Sequence, residues 1–313
     1  MKNSVAFVLV FAAMSASCNR GGQAATSGKP VVALVLKTLN HPFFVDMRRG
    51  AQEAADRLGV TLQVQAAERE IDVEKQMQIV ENVIQTGIQA LVITPSGSRE
   101  IVPALVKAKN AHVPILIVDT RVDAKAAADA GVTTETFIGS DNYAGGSIAG
   151  AYLVKVTGGK ARVAILEGIP GHETGDSRLR GFRDEITRAP GITIVASQPA
   201  NWERDQGFNV FQNMLQAHPE IDSVFACSDL MALGAIEAIR AAGKTGTIRV
   251  IGFDALDDAK KAIAAGTMDA SVAQFPSEMG RVAVENAVKV IRGEKIAGDI
   301  KVTLELVTKD NVK

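Results

Sequence analysis

At 313 residues the chain is long enough for two compact lobes, because single cores stop growing near ~250–300 residues. Hydrophobic residues make up 47% and charged residues 22%, which excludes a disordered polyelectrolyte and a multi-spanning membrane protein. A net charge of −1, with 34 Lys and Arg spread along the chain, provides no basic field for nucleic acid, and two lone cysteines make neither a zinc site nor a disulfide framework.

Met1 to Cys18 read as an export signal. Lys2 supplies a short positive region, Val5 to Ala13 is an unbroken apolar run, and small residues follow. That run falls well short of the ~20 residues a permanent span requires. Ser15-Ala16-Ser17 before Cys18 resembles a lipoprotein cleavage site, in which the cysteine is acylated and starts the mature chain, although Ser15 stands where Leu is usual. Ordinary cleavage with loss of Cys18 is the alternative. Either route places the protein outside the cytoplasm, in the periplasm or at the cell surface. Residues 19–28, rich in Gly, Ala, Ser and Thr, have the composition of a flexible tether.

From Pro30 onward, short apolar runs alternate with segments of helical periodicity, a pattern that predicts an α/β fold of βαβ units with mainly parallel sheets. Strands are expected at 31–36, 61–64, 90–94, 115–118, 137–139, 162–166, 192–196, 223–226, 249–252 and 270–273, with Val302–Val307 last. Helices are expected over Phe44–Leu58, where Val45, Ala51, Ala54, Ala55 and Leu58 can share an inward face, and over Val73–Gln85. So many strands exceed what one strongly twisted open sheet usually holds, which favours two sheets in two lobes with a change of lobe near Phe137–Asn142.

In open α/β sheets ligands bind beyond the carboxyl ends of strands, so the residues just after each strand are the candidates. They are Lys37, His41, Phe43 and Phe44; Asp119, Thr120 and Arg121; Arg178; Trp202; Ser228; Phe253 and Asp254; and Gln274. A cyclic polyol presents apolar C–H faces and a belt of hydroxyls that both donate and accept. Aromatic rings on its faces with charged and amide groups on its rim match that chemistry. Each residue also has a structural alternative: Phe43 and Phe44 can staple a helix start, Asp119 and Asp254 can cap loops or helices, Arg178 can lie on a solvated helix face, and Lys37 can be an exposed strand end.

The same residues carry a family resemblance. Lys37-Thr-Leu-Asn-His-Pro-Phe-Phe44, Ala196-Ser-Gln-Pro-Ala-Asn-Trp202, Asp229-Leu-Met-Ala-Leu-Gly-Ala235, Gly252-Phe-Asp254 and Val272-Ala-Gln274 resemble the ribose- and allose-binding proteins of bacterial ABC importers. The resemblance implies a type I periplasmic-binding-protein fold, two Rossmann-like lobes joined by three hinge strands. One lobe would comprise 29–140 and 275–303, the other 141–274 and 304–313. It further implies that Phe43 and Phe44 stack on one side of a sugar ring and Trp202 on the other. His41, Asp119, Arg178, Asp254 and Gln274 would hydrogen-bond its hydroxyls. Lys37, His41, Ser228 and Thr120 depart from the ribose-type pattern, and Lys37 with Trp202 tilts the expectation toward an aldohexose such as allose.

The expected function is therefore capture of one monosaccharide by hinge closure and its presentation to ABC permease subunits, by a monomer held to a membrane through Cys18, with no cofactor, metal or catalysis. The competing readings are a sugar-sensing receptor for a chemotaxis or kinase partner and a binder of another polyol such as myo-inositol. A repressor of the lactose-repressor type would need an N-terminal DNA-binding segment for which the export signal and tether leave no room. No GxSxG, HExxH, P-loop or GxGxxG follows a strand, and the four histidines are not at metal spacing.

Overall fold

The structure, a computed structural model, describes residues 28–313, so the export signal, Cys18 and most of the tether lie outside the described residues. Its first sheet takes β1 (Val31–Thr38), β2 (Thr61–Ala67), β3 (Ala90–Ile93), β4 (Ile115–Val118), β5 (Thr136–Ser140) and β11 (Asp299–Val302) in the order β11-β5-β4-β3-β1-β2, every pair parallel. Its second takes β6 (Lys160–Glu167), β7 (Gly191–Pro199), β8 (Ser223–Ala226), β9 (Arg249–Asp254), β10 (Ala270–Ala273) and β12 (Glu305–Thr308) in the order β12-β10-β9-β8-β6-β7, parallel except for the antiparallel edge strand β12.

Strands buried on both faces account for the near-continuous apolar runs. In β1, Val32, Leu34 and Leu36 join one hydrophobic cluster while Ala33 and Val35 join another on the opposite face, the period-two alternation of a pleated strand. Helix α1 (Pro42–Leu58) covers the first face together with α10 (Pro276–Ile291), and α2 (Val73–Val83) with α3 (Val102–Asn110) covers the second. In the second half, α5 (Asn142–Val156) packs on α6 (Glu173–Ile186), and α7 (Arg204–Ala217) on α8 (Asp229–Ala241). The short α4 (Ala124–Asp129) follows β4, and α9 (Asp257–Ala265) follows β9.

Two sequence expectations need correction. Val45 is 47% exposed, whereas Phe44, Met47, Ala51, Ala54 and Ala55 are buried. The inward stripe of α1 runs from Phe44 at helical spacing, and Val45 lies one residue, about 100°, around the helix from it. The run Val302–Val307 is not one strand. Asp299–Val302 ends the first sheet and Glu305–Thr308 edges the second, with Thr303 and Leu304 crossing between them. The chain passes between the sheets at two other places, from β5 into α5 and from β10 into α10.

Paired glycines set the helix spacing. A Cβ on Gly50 of α1 would overlap the Ser277 backbone of α10, and one on Gly280 of α10 would overlap that of Met47; Gly146 with Gly181, and Gly207 with Gly234, repeat the device on α5·α6 and α7·α8. Gly280→Ala should therefore lower unfolding free energy by about 1–3 kcal/mol through overpacking, read as a lower urea midpoint. Gly298→Ala, where nothing lies within 4 Å of the added methyl, should stay within about 0.5 kcal/mol. Equal midpoints for the two variants would refute this account of the helix contacts.

Candidate ligand-binding site

The carboxyl ends of the two sheets face one cavity, lined by Lys37, His41, Phe43, Phe44, Glu70 and Asp119 from the first half of the chain and by Thr174, Arg178, Trp202, Asp254 and Gln274 from the second. It is a small cavity in which aromatic rings meet charged and amide side chains, the mixture by which ligand pockets fix a bound molecule.

Local structure explains how each side chain arrives. His41 is the N-cap of α1: its Nδ1 accepts from the Phe43 N–H at 3.1 Å, and Pro42 opens the helix. That bond leaves Nε2 as the protonated nitrogen. Phe43 and Phe44 follow in the first turn with their rings edge-to-face, centroids 5.2 Å apart. Asp119 and Trp202 have φ of 65° and 68°, and Asp254, at the end of β9, has φ of 111°. Non-glycine residues avoid this region unless surrounding structure enforces it. Asn201, Ala255 and Phe275, next to cavity residues in sequence, share it, so strain is concentrated around the cavity.

Charge is buried there in two groups. In one, Lys37 Nζ lies 3.5 Å from Glu70 and 3.8 Å from Asp119. In the other, Arg178 donates through Nε to Asn142 Oδ1 at 2.9 Å and through Nη1 to the Cys227 carbonyl at 2.7 Å, with Asp254 Oδ1 3.5 Å away. The Arg178 guanidinium sits 3.8 Å above the Phe253 ring, and Gln274 Nε2 donates to Asp254 Oδ1 at 2.6 Å. Burial pushes the Glu70 and Asp254 carboxyls above their usual range, opposed by Lys37 for the first and Arg178 for the second. The Trp202 indole N–H and the Gln274 carbonyl oxygen have no hydrogen-bond partner among the described residues. Buried polar atoms are normally paired, and of the eight such unpartnered side-chain atoms among the described residues these two belong to residues that line the cavity.

Nine of the sequence-predicted residues line the cavity: Lys37, His41, Phe43, Phe44, Asp119, Arg178, Trp202, Asp254 and Gln274. Four do not. Phe253 belongs to β9 itself and is fully buried beneath Arg178. Thr120 is buried behind the lining, where its hydroxyl bonds Asp119 and meets the Thr174 hydroxyl at 3.0 Å. Ser228 is the buried N-cap residue of α8. Arg121 is held elsewhere, stacked at 3.6 Å on Phe137 and paired with Asp299 at 2.8 Å. Sequence reasoning missed Glu70 and Thr174. Glu70 follows β2, so the strand-exit rule covered it once the strand was extended to Ala67. Thr174 follows β6 in the first turn of α6, one turn ahead of Arg178.

Among the described residues no His, Cys, Asp or Glu cluster could hold a metal ion, and no helix is long and apolar enough to cross a membrane. The Cys227 thiol is buried and pushed up to about 12 by that burial, which leaves it no nucleophilic character near neutral pH.

Residues 32–295 match the periplasmic binding protein domain family. The ribose import binding protein of Escherichia coli is 39% identical over 281 residues, 90% of this chain and 91% of that protein. The D-allose-binding periplasmic protein of the same organism is 33% identical over 265 residues, covering 84% and 85%. A solved periplasmic solute binding protein of an ABC transporter from Actinobacillus succinogenes, with bound D-allose, superposes with a TM-score of 0.85 at 39% identity, over 90% of this chain and 98% of that one.

Burial, and secondarily the Lys37 charge, lowers the pKa of His41 from 6.5 to about 4. Between those values the unfolded chain holds a proton that the folded imidazole does not. The His41 contribution to stability is thus fully present above pH 6.5 and is lost as pH falls toward about 4. Imidazole NMR titration of the folded protein should place the His41 midpoint near 4; an ordinary midpoint would contradict the buried, N-capping neutral ring.

Proposed function

This chain belongs to the periplasmic binding protein domain family, and we propose that it captures one free monosaccharide, an allose- or ribose-like aldose, and delivers it to an ABC importer. It is a binding protein and not an enzyme, as are its ribose- and allose-binding relatives. The observation that carries the reading is the cavity between the two sheets in which three aromatic rings stand among buried carboxylates, an ammonium and a guanidinium. Carboxylates accept from sugar hydroxyls, Lys37 and Arg178 donate to them, and hydrogen bonds to ionised groups are the stronger kind. Phe43, Phe44 and Trp202 take the C–H faces.

The lobes comprise residues 29–140 with 275–303 and residues 141–274 with 304–313, a division supported by sheet membership. The sugar touches both lobes, so it stabilises the closed state over the open one, and the importer's permease subunits recognise the closed state. Thr120, Ser228 and Phe253 act behind the lining, and Glu70 and Thr174 join the contacts. The protein works in the periplasm or at the cell surface as a monomer, anchored through acylated Cys18; Ser15-Ala16-Ser17 before that cysteine supports this. A sensory partner that docks on the same closed form would use the same site.

Calorimetric titration of the mature protein against ribose, allose, glucose, galactose, xylose and myo-inositol should give one-to-one binding with allose or ribose tightest, and a smaller radius of gyration at saturation. Trp202→Ala and Asp254→Ala should each weaken that binding by about 2 kcal/mol or more, roughly thirtyfold in Kd. Full affinity in both variants, or binding of myo-inositol alone, would overturn the proposal.

A further inference from the structure

Asp229 opens α8 at the exit of β8, is fully buried, and does not line the cavity. Its Oδ2 accepts from the Leu256 N–H at 2.7 Å, and its Oδ1 accepts from the Ser271 hydroxyl at 2.7 Å. The Ser271 oxygen in turn accepts from the Ala255 N–H at 2.9 Å. One carboxylate thus satisfies, directly and through Ser271, the two consecutive peptide N–H groups that follow Asp254. Those groups belong to the most strained stretch of the site, where Asp254 has φ of 111° and Ala255 has φ of 51°.

The surrounding sequence is built around this contact. Gly252 and Ser271 are register partners across β9 and β10, and a Cβ on Gly252 would overlap Asp229 Oδ1. A carboxylate without solvent is tolerated only when its oxygens are satisfied, and these oxygens are committed to a single turn. We infer that Asp229 is a positioning residue which, with Ser271, holds the Asp254–Ala255 turn in its strained conformation and so fixes the Asp254 carboxylate against Arg178 and Gln274 in the cavity. The inference rests on the reading of Asp254 as a sugar contact.

A double-mutant cycle separates this role from general support of the fold. Asp229→Ala, Asp254→Ala and the double variant are titrated with allose and ribose by the fluorescence of Trp202, the single tryptophan of the chain, and melted in parallel. Asp229→Ala should weaken binding at least about tenfold in the wild-type background and less than about threefold when Asp254 is already Ala, because residues acting through one another are not additive. Asp229→Asn keeps an acceptor for Leu256 N–H and can donate to the Ser271 oxygen, so it should recover affinity to within about threefold of wild type. Should Asp229→Ala fail to fold, Ser271→Ala removes only the arm to Ala255 and should show the same non-additivity with Asp254→Ala. Full multiplication of the two effects, or wild-type affinity in Asp229→Ala, would overturn the inference while leaving the site intact. Wild-type affinity in Asp254→Ala alone would instead sink the site reading on which it stands.

Discussion

Desolvation of charge governs this molecule. Lys37, Glu70, Asp119, Arg178 and Asp254 are all under a tenth exposed and converge on one cavity. Ionised groups leave water only when opposite charges and hydrogen bonds replace it. The pairing that the protein provides is incomplete: Lys37 stands 3.5 and 3.8 Å from its carboxylates and Arg178 stands 3.5 Å from Asp254, whereas charge-assisted bonds close to about 2.7–2.9 Å. Charges held in such long pairs are suited to a third party that both donates and accepts at every position. A polyol has that property, and neither a simple cation nor a simple anion does.

Backbone strain is the structural counterpart of that constraint. Asp119, Trp202 and Asp254 reach the cavity from left-handed or adjacent φ values, and Phe275, also left-handed, caps α10 where the chain leaves the second sheet beside Gln274. A strand running straight into its helix would carry the side chain at its end away from the opposite sheet. The unusual turns redirect it, while Arg178, which reaches the cavity from within α6, is held by Asn142 and the Cys227 carbonyl. The cost of strain falls on the folded scaffold, which holds these cavity side chains in place.

Much of this was legible in the sequence, for reasons that particular residues make clear. Parallel strands covered on both faces read as apolar runs whatever their partners, so β3, β4, β8 and β10 were located to within a residue. The strand-exit rule reached Asp119, Asp254 and Gln274 because it depends on sheet polarity alone. Features that depend on tertiary geometry stayed hidden. Val302–Val307, Val-Thr-Leu-Glu-Leu-Val, alternates like one half-buried strand, and nothing local reveals that Thr303 and Leu304 carry it from one sheet to another. Arg121 follows Asp119 closely enough to suggest a shared site, but Phe137 and Asp299, remote in sequence, claim its guanidinium. Glu70 sits in a charged segment, Glu68-Arg69-Glu70, that reads as solvated surface until Lys37 is seen within 3.5 Å.

The proposed lobes are joined beside the crossings by an exposed ion pair, Lys301 Nζ to Asp141 at 2.8 Å, which contributes little. Behind the cavity lining the Thr120 and Thr174 hydroxyls meet at 3.0 Å, and Ser98 Oγ accepts from the Glu173 N–H at 3.3 Å. Neutral bonds of this kind contribute only about 0.5–1.5 kcal/mol each. Moving a two-state equilibrium from nearly all open to nearly all closed takes about 5.5 kcal/mol of differential affinity. Charged partners and aromatic faces that come from both lobes can supply that difference together, whereas either lobe alone would bind without shifting the equilibrium. Under the proposed hinge closure, the division of the site between two sheets is what would turn binding into a change of shape.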